Sequence, residues 1–178
     1  HLSVGLLPMT SIDDSITNLA FIENALQKLD PSVRLFCLPE NSLYLNLDKN
    51  PIPTSAAFSE TSPEIQKLSQ LAKDYNVYLH LGGIPWLREG KVFNEALLIT
   101  DSGQVVETYE KLHLFDVDLG PGIQVQESKS YNPGGRLNCF EVDGWKFATC
   151  ICYDVRFPEI FIHYMENERV DAFIVPAA

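Results

Sequence analysis

Residues 33–38, VRLFCL, are apolar at odd and even positions alike apart from Arg34, and this property narrows the folds open to the chain. Successive side chains of a strand point to opposite faces, so a strand apolar at both parities needs cover on both sides. Residues 170–178, VDAFIVPAA, read the same way. Helices are available to supply the cover. Residues 13–30 set Ile16, Leu19, Leu26 and Leu29 at helical spacing after an acidic start. Residues 62–76 open with Ser62 as cap and Pro63 at the first helical position, and turn Ile65, Leu68, Leu71 and Ala72 inward. Residues 158–168 form a third helix with Ile160, Phe161, Tyr164 and Met165 on its buried side.

Further strands fall between them. Residues 2–8 open the chain as a short apolar strand, and residues 77–84 form a strand ending in paired glycines. Residues 92–100 and 104–115 flank the turn Asp101-Ser102-Gly103, and Asp143-Gly144 joins 136–142 to 145–152 as a second hairpin. Residues 41–60, punctuated by proline, read as loop. Strands alternating with helices and mixed with hairpins give an α/β layered architecture with a mixed sheet. A chain of 178 residues with 46% hydrophobic content can bury one core, so residues 1–178 are expected to form one domain. An apolar final strand wants neighbours on both sides, which marks the chain as the front portion of a larger domain.

Charge and cysteine content exclude several classes of function. A formal net charge of -11 argues against nucleic acid, whose phosphates need clustered Lys and Arg. No apolar run reaches the roughly 18 residues needed to span a membrane, and the first ten residues lack the basic region and cleavage site of a signal peptide. Cys37, Cys139, Cys150 and Cys152 sit in apolar contexts that fit a reducing, cytoplasmic compartment rather than a disulfide scaffold. Cys-x-Cys with scattered His does not match zinc spacing, and LGGIPW and GPGIQ lack the pattern of a phosphate loop, so neither a metal nor a nucleotide cofactor is expected.

Three residues lie at or just past the carboxyl ends of strands, where sites assemble in open α/β sheets: Glu40, Lys111 and Cys152. Each has an ordinary alternative. Cys150 and Cys152 share a strand face and could be core thiols or a redox couple, although a bridge across one residue is strained. The polar run Tyr153-Asp154-Val155-Arg156 favours instead a strand–turn–helix elbow that exposes a thiol and aims backbone N–H groups at one point. Glu40 is either a solvated loop acid or, held behind Pro39, a general base. Lys111 is either a surface lysine or, pointing inward, a cation for a thiolate and an oxyanion. His113 shares its parity, and the structural reading is favoured for it over a Cys–His pair. Arg156 and Glu159 read as an ion pair that pins the turn.

Together, LFCLPEN (35–41), VFNEALLITDSGQVVETYEKLHLF (92–115) and GWKFATCICYDVRFPEIF (144–161) resemble, in order, the motifs of the nitrilase, or carbon–nitrogen hydrolase, superfamily. The resemblance implies an α-β-β-α sandwich, here truncated at its C-terminal end, and pairing of subunits across a helical face as a dimer or higher homo-oligomer. It implies a Glu40–Lys111–Cys152 triad that hydrolyses a small-molecule amide through a thioester, with Glu127 and the backbone N–H of Tyr153 supporting substrate and oxyanion. HLFDVD, ES and RFPE most resemble the branch acting on ω-amides of keto or dicarboxylic acids, including deaminated glutathione. N-Carbamoyl amines, nitriles, or a non-catalytic binding or regulatory module are the alternatives. Glu110 replaces the family's usual basic residue before the lysine and is expected to point outward by alternation.

Overall fold

The computed structural model describes residues 1–47, 50–118, 120 and 124–178. Two sheets lie face to face, each covered outside by helix. The first has the order β1 (Val4–Leu6), β2 (Leu35–Cys37), β3 (Tyr78–Arg88), β4 (Lys91–Ile99), β5 (Val105–Glu110), parallel through β3 and antiparallel beyond. A two-stranded ribbon pairs β6 (Asp116–Asp118) with β7 (Gln124–Gln126). In the second sheet β9 (Trp145–Thr149) lies between β8 (Cys139–Val142), antiparallel to it, and β10 (Ala172–Ile174), parallel to it. Leu35, Cys37 and Leu98 of the first sheet pack on Phe140, Val142 and Phe147 of the second. Buried His80 bridges the same space, its Nε2 2.9 Å from Thr149 Oγ1. The expected α-β-β-α layering is therefore the observed one, with β2 fully buried as its two-sided apolar pattern requires.

Helices α1 (Ser15–Leu26) and α2 (Pro63–Tyr75) cover the outer face of the first sheet, packing Ile22, Leu26, Ile65 and Leu68 on Phe36, Leu79 and Leu97. Asp14 caps α1, accepting from the Ile16 and Thr17 amides at 3.0 and 3.4 Å. The buried stripe of α1 is Asn18, Ile22 and Leu26, and Ile16 is 74% exposed, contrary to expectation. Asn18 sets that phase: its side chain donates to the carbonyls of Ile12 and Leu43 and accepts from the Ile12 amide, so it turns inward and Ile16 turns out. In α2 the inward residues are those expected. Ser62 occupies the capping position, but its hydroxyl accepts from the Ser59 amide rather than from the helix.

β3 does not stop at its glycines. Gly82 and Gly83 form a bulge between the pairs Leu81–Leu97 and Ile84–Glu95, and the strand runs on to a tight turn at Glu89-Gly90, both with positive φ. The bulge lets the strand absorb two residues that resemble a terminus in sequence. The loop expected over 41–60 is irregular apart from a short turn at Thr54–Ala56, with residues 48 and 49 outside the described residues.

α3 (Pro158–His163) covers the second sheet with Ile160 and Tyr164 buried and Phe161 partly so. Met165, expected inside, is exposed, because the helix widens into a π turn at Tyr164–Glu168 that advances the phase of its inner face. Among the described residues no helix is long and apolar enough to cross a membrane.

Candidate active site

Glu40, Lys111 and Cys152 meet at one end of the sandwich, where they line a cleft of about 1200 Å³. Glu40 follows β2 and is 5% exposed. The next residue, Asn41, takes a left-handed φ of 59° and donates its amide to Gly83 O at 2.8 Å, anchoring the glutamate's backbone to the β3 bulge. Lys111 follows β5, its amide bonded to Asn94 O of β4 at 2.9 Å. Its buried ammonium lies 2.8 Å from Glu40 Oε1 and 2.9 Å from Glu127 Oε2. Burial works against this charge, but the Glu40 and Glu127 carboxylates more than offset it and leave the Lys111 pKa above its ordinary value. Glu127 opens a short turn after β7, and its Oε2 also accepts the Phe115 amide at 2.7 Å.

Cys152 stands three residues after Thr149, the last paired residue of its strand, at φ 46°, a conformation that a residue with a Cβ rarely adopts. Its amide donates to Pro176 O at 2.8 Å. The turn after β9 separates it from Cys150, which is buried under α3 with its thiol pushed up to about 12 by burial. The four cysteines are free, and strand alternation does not carry through to Cys152. Burial, then the charge of Glu40, raise the Cys152 pKa; a hydrogen bond to Glu40 adds to this, and Lys111 opposes it. The proton is thus held on the Cys152 sulfur. Tyr153 is half-buried in the cleft wall, edge-on to Phe115 and Phe157 at 5.0 and 5.4 Å.

The elbow is pinned by Asp154, not by Arg156 and Glu159. Both of those are exposed, and no ion pair joins them among the described residues. Asp154 is fully buried and accepts four bonds: from Ile151 N at 3.1 Å, Tyr109 Oη at 2.7 Å, His113 N at 3.0 Å and His113 Nδ1 at 2.8 Å. His113 also stacks on Phe157, which bears out its structural reading. Glu110 faces away from Lys111 as alternation requires, yet it is buried rather than solvated. Arg88 and Arg136 pair with it, and the Gly135 amide donates to its Oε2 at 2.9 Å.

Sequence reasoning missed Asn94 and Asp154. Asn94 is 1% exposed and donates through Nδ2 to Glu40 Oε1 and Glu127 Oε1, both at 2.8 Å. The signal was a pair of polar residues, Asn94 and Glu95, interrupting the otherwise apolar run of VFNEALLIT before Thr100. Among the described residues no group of three or more His, Cys, Asp and Glu is arranged to hold a metal ion.

The family model for carbon–nitrogen hydrolases matches residues 16–177. Omega-amidase NIT3 of Saccharomyces cerevisiae is 34% identical over 99% of this chain and 63% of its own length. The deaminated glutathione amidase of Yersinia enterocolitica is 29% identical over 99% of this chain and 62% of its own. Among solved structures, the NitFhit protein of C. elegans superposes with a TM-score of 0.81 at 27% identity, covering 100% of this chain and 45% of that one. Saccharomyces cerevisiae Nit3, described as a member of branch 10 of the nitrilase superfamily, superposes at 0.76 with 27% identity, covering 99% and 64%. The chain thus spans about half to under two thirds of the length of the curated relatives it matches. With sequence pattern, layering and family model in agreement over nearly its whole extent, the chain belongs to the carbon–nitrogen hydrolase family.

Proposed function

We propose that the protein is a thiol amidohydrolase acting on the terminal amide of a small carboxylic acid. The observation that carries this reading is the convergence of an acid, a cation and a thiol in one cleft, with Lys111 Nζ 2.8 Å from Glu40 Oε1 and Cys152 lining the same cleft. Glu40 takes the thiol proton as sulfur attacks the amide carbon. Lys111 and the Tyr153 N–H hold the resulting oxyanion. Collapse breaks the C–N bond, and Glu40 passes the proton to the departing ammonia, leaving a thioester. Glu40 then draws a proton from water, whose oxygen displaces the sulfur to give the acid and restore the thiol. Glu127 orients Lys111 and the substrate. The raised thiol pKa suits this order, because the proton leaves only as the C–S bond forms.

Relatives named omega-amidase and deaminated glutathione amidase support ω-amides of keto or dicarboxylic acids, or deaminated glutathione, as substrates. Residues 1–178 form the front portion of one carbon–nitrogen hydrolase domain that acts in the cytoplasm. Two copies pair across the α3 face, where Ile162 and Met165 are exposed at 52% and 54%. Ammonia release from these amides by the whole protein, measured beside Cys152→Ala, tests the chemistry. Turnover by wild type and its loss in a folded variant are expected, and retained turnover in the variant would refute the mechanism.

A further inference from the structure

The paired glycines of LGGIPW and the buried Asn94 have no role in the chemistry above, yet they lie against the residue that would serve as its base. Asn94 Nδ2 spends its two hydrogens on two like charges, Glu40 Oε1 and Glu127 Oε1, each at 2.8 Å. Lys111 Nζ reaches the same two oxygens at 2.8 and 3.1 Å, closing a ring of two donors and two acceptors. Both oxygens of Glu127 are engaged, Oε2 by the Phe115 amide and Lys111. On Glu40 only Oε1 is held by nitrogen donors among the described residues, so these donors leave Oε2 unclaimed.

The amide can point only one way, since its oxygen turned toward two carboxylates would repel both. That orientation puts Oδ1 against the β3 bulge, buried and without a hydrogen-bond partner. A Cβ on Gly83 would lie 2.5 Å from that oxygen. The Gly83 φ of 91° suits glycine as well, and the Gly83 carbonyl receives the Asn41 amide beside Glu40. One bulge therefore seats both the backbone of Glu40 and the side chain that orients its carboxylate.

We infer that Asn94, held in a notch that only glycine at position 83 leaves open, is a positioning residue that fixes Glu40 with Oε2 directed at Cys152. A neutral donor fits this task. Lys111 already neutralises one of the two carboxylates, and a second cation would weaken Glu40 as a base. An amide orients the carboxylate and keeps the cluster's negative charge. The inference rests on Glu40 acting as the base.

The test uses Asn94→Leu and Asn94→Asp in the whole protein, with kcat and KM for ammonia release followed against pH and thermal unfolding measured beside them. Loss of a hydrogen bond donated to a charged group should lower kcat about 10–100-fold while KM changes less. The acid limb of kcat/KM should move up by about one pH unit, because the carboxylate loses a donor that favoured its charged form. Asn94→Asp should move it further, by adding a third carboxylate. If Asn94→Leu does not fold, the nearly isosteric Asn94→Asp decides alone. A lowered kcat with the limb unmoved would make Asn94 a packing residue and overturn the inference, as would unchanged kcat. Ammonia release that survives Cys152→Ala would overturn the functional reading first. A Cys152-dependent wild type whose Asn94 variants keep the limb in place overturns the inference by itself.

Discussion

At Cys152 the electrostatics work against early ionisation. Burial and then the Glu40 charge hold the proton on sulfur, while Lys111 and, less strongly, the Ala178 backbone pull the other way. Glu40→Gln removes a negative neighbour and should lower the thiol pKa, so the midpoint of Cys152 alkylation by iodoacetamide should move to lower pH even as amide turnover disappears. A midpoint that stays or rises would separate the two side chains. Asp154 gives a second prediction. Its two oxygens face one backbone N–H each, from Ile151 and His113. An asparagine there must aim an NH₂ group at one of those amides whichever way it flips. Asp154→Asn should therefore destabilise the fold by about 1–3 kcal/mol in urea titration and lower kcat through a displaced elbow. Glu40, Lys111 and Cys152 were legible because each ends a readable strand. Asn94 and Asp154 were not. Strand parity says which side a polar residue faces, but not what waits for it there.

The elements show a similar division. Helix α2 was readable because Pro63, an amphipathic stripe and Asn76 agree, the last as a left-handed cap at φ 51°. Helix α1 was readable as a helix but not in its phase, since Asn18 inward and Ile16 outward invert the usual partition. The decision rests on carbonyls of Ile12 and Leu43, distant from the helix pattern itself. The hydrophobic part of that stripe can be weighed directly: Leu26→Ala, at 0% exposure, should cost about 2–5 kcal/mol in denaturant unfolding. The β3 bulge is the element on which the site depends most. Gly83→Ala meets both a positive φ and the Asn94 oxygen, so kcat should fall with KM little changed, and wild-type kinetics in that variant would exclude the bulge from site assembly.

Across the whole molecule the two sheets are locked by an apolar interlayer into which the imidazole of His80 is buried. Burial lowers the His80 pKa from 6.5 to about 4, so the folded protein excludes a proton that the unfolded chain binds below pH 6.5. Stability is complete above 6.5 and declines as pH falls toward 4, by up to roughly 3 kcal/mol from this group. His80→Gln should flatten that part of the stability profile relative to wild type, as read from urea midpoints at pH 7 and 4.5. An equal slope in both proteins would place the acid sensitivity elsewhere. Layering was legible at this scale because β2 is apolar at both parities, which demands two covers. The separation of β8, β9 and β10 into a second sheet was not, since strand order in sequence does not say which sheet a strand joins.

The left-handed backbone at Cys152 has a consequence for how the protein balances durability against work. A side chain at φ 46° carries a steric penalty that glycine escapes. Cys152→Gly should therefore unfold at a higher temperature than Cys152→Ala while both are inert. At this one position the chain gives up robustness to keep a sulfur on a sharp bend.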